Sequence, residues 1–335
     1  MISLNILDYS PIDEGETAAA ALQQTTRLAQ LAERLGFKRF WVAEHHQVDS
    51  VAGSTPEMLM MHLATSTETI RIGSGGVMLP HYSAYKVAEN FRMLEALHPG
   101  RIDLGIGRSR SYRIVNEALN ESKKKRLPYE QQLTDLQKYF ADDTDSEHRF
   151  QSLRAMPVIE TAPELWLLGT GPGSARLAAE KGMGYAYAHF AKPSQQGVEV
   201  VEAYRAEFQP SQFLQEPKVI IAVFAVVAET AEKAEELATA FDLWLLFVES
   251  DSPPPYYPSV DTAKKRGFSA SEQEKVERNR QRMLIGTADQ VKMQIEAIAD
   301  RYDTGEITII PNISGADNRM NELRLLAASF NLAGK

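Results

Sequence analysis

The 335-residue chain contains no cysteine. That absence removes a disulfide framework, a thiol nucleophile and every thiolate metal site at once. No apolar run reaches the roughly twenty residues that a membrane-spanning helix needs. The opening segment, Met1 to Asp8, has neither a basic stretch nor a small-residue cleavage site, so it reads as a first strand and a cytosolic protein is expected. Positive charge is in deficit as well. With 36 Lys and Arg against 45 Asp and Glu, the net charge is -9 and the pI is near 5.4, which argues against nucleic acid or an anionic membrane as a partner. The one basic run, Lys123-Lys124-Lys125-Arg126, lies among Glu, Gln and Asp residues and reads as a solvated helix face.

What is present is a regular alternation. Strand patterns at 2–7, 39–43, 70–75, 101–107, 164–168, 184–188, 218–227 and 306–310 are each followed by a helical pattern. The first helix, over 17–36, repeats Leu22, Leu28, Leu31 and Leu35 at helical spacing and ends at Gly36. The second, over 55–66, is expected to start on Ser54 as its cap, with Pro56 and Glu57 in the first turn. Eight strand–helix units in one chain of this length predict an α/β fold of the (β/α)8 TIM-barrel type, a single domain over 1–335; a doubly wound sheet would leave strands over. Two connections, about 109–163 and 248–285, exceed the usual length. The second carries Ser252-Pro-Pro-Pro-Tyr-Tyr-Pro258, too rich in proline for regular structure, and is expected to be a mobile active-site lid.

In such a barrel, chemistry collects where apolar strands end in ionisable residues. Phe40-Trp-Val-Ala-Glu-His-His46 is such an ending. Neighbouring residues on a strand face opposite ways, so one of His45 and His46 is expected to face a central cavity and the other to pack against a helix. No HExxH spacing exists, and no metal site is expected. Two more strand endings, Ile70-Arg-Ile-Gly-Ser-Gly-Gly-Val-Met-Leu-Pro80 and Gly100-Arg-Ile-Asp-Leu-Gly-Ile-Gly-Arg108, complete the candidate site. Leu165-Trp-Leu-Leu-Gly-Thr-Gly-Pro-Gly-Ser174 ends a strand and opens a helix whose first amides can hold a phosphate, with Arg108 as the charged partner. It is not a dinucleotide fingerprint: the spacing is GxGxG, it lies mid-chain, and no acidic residue follows about twenty residues on.

These segments, together with Ala88-Glu89, Leu94-Glu-Ala-Leu-His-Pro-Gly-Arg101, Leu177-Ala-Ala179 and Gly286-Thr-Ala-Asp-Gln-Val291, resemble the bacterial luciferase-like flavin-dependent monooxygenases, in particular their small single-subunit branch. The resemblance covers essentially the whole barrel. It implies FMN at the strands' C-terminal ends, delivered reduced by a separate NAD(P)H-dependent flavin reductase, with O2 oxygenating a small organic substrate. It also implies a homodimer.

Residue by residue, the resemblance makes His45 the catalytic histidine. Gly75 and Gly76 become the pair against the flavin ring, joined by a cis peptide, and Arg108, Thr170, Gly171 and Ser174 become the phosphate site. One departure stands out: after Gly107-Arg108 the chain reads Ser109-Arg-Ser-Tyr-Arg113, where the close branch has small residues and a Thr-Asp pair. Tyr9, Tyr82, Tyr112, Tyr187 and Phe190 are candidates for an aromatic substrate pocket. A deazaflavin-dependent oxidoreductase and a non-catalytic flavin-binding protein are the alternatives.

Overall fold

The structure, a computed structural model, describes residues 2–109, 111–121, 127–191, 193, 195–250 and 254–333. Arg110, the basic run at 123–126 and Ser252 and Pro253 of the proline cluster lie outside them. Strand β1 (Ser3–Asp8) leads through α1 (Ala18–Arg34) to β2 (Arg39–Val42), α2 (Pro56–Thr65), β3 (Arg71–Ser74) and a two-residue strand, β4 (Val77–Met78). Then come α3 (Ala84–Leu97), β5 (Ile102–Gly107), α4 (Arg113–Ala118), α5 (Tyr129–Phe140), β6 (Glu164–Gly169), α6 (Pro172–Glu180), β7 (Gly184–Ala188) and α7 (Gln195–Glu207). The chain ends with β8 (Val219–Ala228), α8 (Ala231–Val248), α9 (Val260–Arg266), α10 (Ala270–Arg280), β9 (Met283–Thr287), α11 (Ala288–Arg301), β10 (Glu306–Ile310) and α12 (Ala316–Ser329).

The strands pair in parallel in the order β10-β1-β2-β3-β5-β6-β7-β8, and β8 returns to β10 to close the ring. With β4 continuing β3 along β5, this is the expected eight-stranded (β/α)8 barrel. β8 is ten residues long: its Ile221–Phe224 segment pairs with β10, and its end from Phe224 to Ala228 carries β9 as an additional strand.

The 248–285 connection is not the structureless segment expected. It holds α9, α10 and the start of β9. Proline blocks regular structure only up to Pro258; the Ser259 side chain then caps α9, and Ser269 with Glu272 closes a capping box on α10. Thr287 and Gln290 do the same for α11. These S/T-x-x-E/Q spacings are visible in the sequence and mark helix starts that hydrophobic periodicity alone passes over. Tyr257 anchors the segment. It is fully buried, stacks on Trp244, and its hydroxyl donates to the Asn312 carbonyl. Likewise the 114–141 region is not one helix but α4 and α5, and α2 is capped at Thr55 rather than Ser54, without a side-chain bond.

Apolar side chains fall into two layers. One lies between strands and helices, with Leu4, Ile6, Phe40, Ile72, Leu104 and Ile221 on the strand side. The other fills the barrel itself with Leu7, Trp41, Trp166, Ala186, Ile220 and Phe224. Two indoles fit inside because glycine faces them: a Cβ at Gly73 would lie 2.5 Å from Trp41, and one at Gly184 would lie 2.5 Å from Trp166.

Below the indoles, the strands' N-terminal ends bring charges together. Arg39, 1% exposed, donates to Asp103 (2.7 Å), Glu306 (2.5 Å) and Glu164 (3.0 Å), and its guanidinium lies 5.0 Å from the centre of the Trp166 ring. Arg71 donates to the other oxygen of Asp103 at 2.6 and 2.9 Å, and the Trp41 indole N–H donates to Asp103 at 2.8 Å. Burial alone would raise the Glu164 and Glu306 carboxyls, but the neighbouring Arg39, with Arg71 and Lys38, holds both below their ordinary values.

Removing Arg39 would take from buried Asp103 one of its two cations and leave Glu306 with Lys38 and Glu164 with Arg71 and Lys218, which reach them from the rim. Arg39→Ala is expected to cost about 3–5 kcal/mol of unfolding free energy in urea. Because Glu164 and Glu306 are stabilised in their charged forms, their contribution is full above the free-carboxylate value of 4.5 and is lost as pH falls below it. Wild-type stability should therefore drop on acidification more steeply than that of Arg39→Ala. Equal slopes would show that the cluster does not stabilise the floor.

Candidate active site

At the opposite, C-terminal ends of the strands, two adjoining hollows share Met78 and Ser109. The larger, about 540 Å³, is walled by Gly75 and Gly76 after β3, Arg108 after β5, Gly169–Ser174 between β6 and α6, and Phe190 after β7. The smaller, about 320 Å³, is lined by Glu44, His45, His46, Ser111 and Tyr112. Both sizes suit small-molecule sites.

The Gly75–Gly76 peptide is cis, as expected. Neither position has room for a side chain. A Cβ on Gly75 would meet Leu7 at 2.6 Å, and one on Gly76 would meet the Gly105 carbonyl oxygen at 2.7 Å. On the far wall, Gly171 and Gly173 face open space, where an added Cβ would find nothing within 4 Å. The first turn of α6 forms that wall: Pro172 has no N–H and the Ser174 amide bonds back to the Gly171 carbonyl at 3.2 Å, so Gly173 offers the turn's open amide among the described residues. Arg108 is exposed to the hollow and makes no hydrogen bond or ion pair among the described residues. Thr170 is likewise exposed there. Ser174 is more committed: its hydroxyl donates to the Gly171 carbonyl (2.8 Å) and lies 3.0 Å from the Tyr185 hydroxyl.

The histidine pair departs from expectation. Strand alternation predicts one ring inward and the other outward, yet both line the smaller hollow. The reason is local: β2 stops at Val42, the His45 amide bonds to the Gly53 carbonyl, and Gln47 adopts a positive φ of 55°, so the two-residue period no longer applies.

The rings differ in surroundings. His45 packs edge-on against Tyr9, 5.0 Å between centroids, and its buried Nδ1 has no partner among the described residues. Burial, aided by neighbouring His46, pushes its pKa down to about 4, so it is a neutral imidazole at physiological pH. His46 instead bonds through Nε2 to Glu44 at 2.7 Å. Glu44, 2% exposed, also accepts from the Tyr82 hydroxyl (2.7 Å) and the Met78 amide (2.8 Å).

Of the five aromatic candidates, Tyr112 and Phe190 line the hollows. Tyr9 supports His45, and Tyr82 supports Glu44. Tyr187 does not belong: it is 1% exposed and points outward between β7 and α7, against Tyr302 and Gly197. It sits one residue from inward-facing Ala186, and strand alternation turns it away. Sequence reasoning missed Glu44 as the hub, although its place just before the histidine pair was the signal. Among the described residues no group of three His, Cys, Asp or Glu could hold a metal.

Residues 4–305 match the sequence profile of the luciferase-like monooxygenases. The chain belongs to this family. It is therefore an oxidoreductase of the oxygen-incorporating, monooxygenase class. It is 48% identical to the protein YwcH of Bacillus subtilis over 332 residues, covering 98% of this chain and 99% of that one. It is 36% identical to an N-acetyl-S-alkylcysteine monooxygenase of the same organism over 330 residues, with 98% of each chain covered. Among solved structures, apo-MsnO8 superimposes with a TM-score of 0.89 at 36% identity over 100% of both chains. The oxygenating constituent of 3,6-diketocamphane monooxygenase, solved in complex with FMN, shares the fold at a TM-score of 0.72 and 17% identity, covering 98% and 96% of the two chains.

The flat glycine wall makes a paired test. Gly76→Ala drives a methyl into backbone that cannot swing aside and should cost about 1–3 kcal/mol. Gly171→Ala has open space and an extended φ of -159°, so it should unfold within about 0.5 kcal/mol of wild type. Chemical denaturation of both variants checks the contrast.

Proposed function

We propose that the chain is the oxygenase of a two-component system that binds reduced FMN in the larger hollow and oxygenates a small organic substrate in the smaller one. The observation that carries this reading is Arg108, a guanidinium without a partner among the described residues, facing the start of α6 across a hollow of about 540 Å³. An unpaired cation and the open Gly173 amide at a helix start, facing one space, suit a phosphate. Thr170 and Gly171 complete the set, while Ser174 shapes the turn more than it offers a free donor. Gly75 and Gly76 leave the opposite wall flat enough for a ring system. Reduced flavin bound there would supply the electrons that activate O2.

Neutral His45 lines the smaller hollow, where its ring can share a hydrogen bond with a group bound beside the flavin without adding charge. The apolar walls around Phe190, Met78 and Leu168 keep water away, which favours oxygen transfer over peroxide release. A separate NAD(P)H-dependent flavin reductase would deliver the reduced cofactor, which sets the reaction in the cytosol. Met58 on α2 and Met93 and Leu97 on α3 are 73%, 49% and 59% exposed, and they support a homodimer formed through these helices.

Four measurements test this reading. Arg108→Ala removes a charge-assisted hydrogen bond of about 1.5–3 kcal/mol, so calorimetry should show FMN binding at least about tenfold weaker. Unchanged affinity would remove Arg108 from the phosphate site, and a deazaflavin rather than FMN in the mass of the extracted cofactor would replace the cofactor assignment. Oxygen uptake by the chain with reduced FMN and a candidate substrate, an N-acetyl-S-alkylcysteine first because a 36% identical relative is described by it, tests the reaction. Gating belongs to the same proposal: limited proteolysis between 248 and 259 should slow when reduced FMN and substrate are both present. Equal cleavage rates would leave this connection as a fixed rim.

A further inference from the structure

The flavin reading assigns a role to His45 but leaves His46 and Glu44 unexplained. Glu44 is a buried carboxylate with three donors: the His46 ring, the Tyr82 hydroxyl and the Met78 amide. A carboxylate can only accept, so the Nε2 of His46 carries the hydrogen in that 2.7 Å bond. This fixes the tautomer and leaves Nδ1 as the free nitrogen. Nδ1 has no partner among the described residues and is not among the buried unpaired atoms, so it opens to the smaller hollow that His46 lines. A backbone amide and a tyrosine hydroxyl on the same carboxylate prevent it from following the ring if the ring turns. A merely structural histidine needs no such three-point support.

We infer that Glu44 and His46 form a carboxylate–imidazole dyad whose free Nδ1 exchanges a proton with a group bound in the smaller hollow, with Glu44 as its positioning residue. This rests on the flavin reading for what is bound, but not for the dyad itself. The proton balance closes. Bound reduced flavin would supply the two electrons, and the oxygen atom that is not transferred would leave as water, which requires two protons. His46 takes up one at Nδ1 and gives it back, its Nε2–H donating to Glu44 throughout, with no net change. His45 and His46 thereby divide the work: one imidazole stays neutral, and its neighbour changes charge beside a carboxylate that compensates it.

The groups facing His46 are Glu44 and His45 of its own segment, His81 and Tyr82 from the turn after β4, and Ser111 and Tyr112 before α4. Glu57 of α2 acts one layer back, through Glu44 and Tyr82. No other carboxylate forms an ion pair with the ring among the described residues.

Nitrogen-15 NMR of the histidines in the flavin-free protein reads the dyad directly. Wild type should show His46 as the Nε2–H tautomer, and Glu44→Ala, which removes the acceptor, should lose that single form. A wild-type Nδ1–H tautomer, or a spectrum unchanged by Glu44→Ala, overturns the dyad whatever the activity. In turnover, His46→Gln should lower substrate-coupled oxygen uptake about 10²-fold or more, with FMN affinity within a few fold of wild type. Coupled turnover within threefold of wild type in His46→Gln overturns the proton role. A chain with the expected tautomer that neither binds FMN nor takes up oxygen overturns the flavin reading instead.

Discussion

The barrel closes around Arg39. Its guanidinium reaches carboxylates from three other strands, Asp103 on β5, Glu164 on β6 and Glu306 on β10, while its plane covers Trp166. A parallel barrel needs every strand in a defined register, and one residue of slip would turn each side chain to the opposite face. Apolar contacts tolerate small displacements; a planar fork with several fixed acceptors does not. The floor therefore holds the strands in register from below, with Trp41 and Trp166 stacked over it as a rigid filling. Strand ends more than one layer above are positioned by that filling. The hollows at the top inherit their shape from a charge cluster at the bottom.

The two ends treat charge in opposite ways. At the floor each cation has its anions, and the result is a static brace. At the top, Arg108 and the His45 Nδ1 are left without partners among the described residues. Unpaired polar groups in a concave space cost stability, and a fold retains them where a ligand completes them. Glu44, at the same end, spends its bonds holding a neighbouring ring, a hydroxyl and an amide in place. Rigid support below and unmet donors and acceptors above are what a site for an exchangeable cofactor and substrate needs.

Much of this was legible from residue order. Short apolar runs, aliphatic in most strands and aromatic in β2 and β7, marked the eight barrel strands, since parallel strands buried on both faces read as nearly continuous apolar segments. The glycines at 75, 76, 169, 171 and 173, with Arg108, stood out because each occurs where a strand gives way to a loop. The helices of the 248–285 connection were hidden by proline at its start, although Ser259 and Ser269 announced them. Arg39, Asp103, Glu164 and Glu306 were invisible as a group. Each looks like an ordinary charged residue at the edge of a strand, and nothing along the chain says that four such edges meet.

The sequence by itself determined the alternation of strands and helices, the barrel that follows from it, and which strand ends join ionisable residues to glycine turns, because these depend on local periodicity and on residues near one another in the chain. Tertiary structure alone decided which side chains meet. It turned both His45 and His46 into one hollow, because β2 ends before either of them and the two-residue period lapses. It sent Tyr187 outward, by its register on β7. It also made Glu44 a hub, since the Tyr82 hydroxyl and Met78 amide arrive from a neighbouring strand end only once the ring of strands has closed.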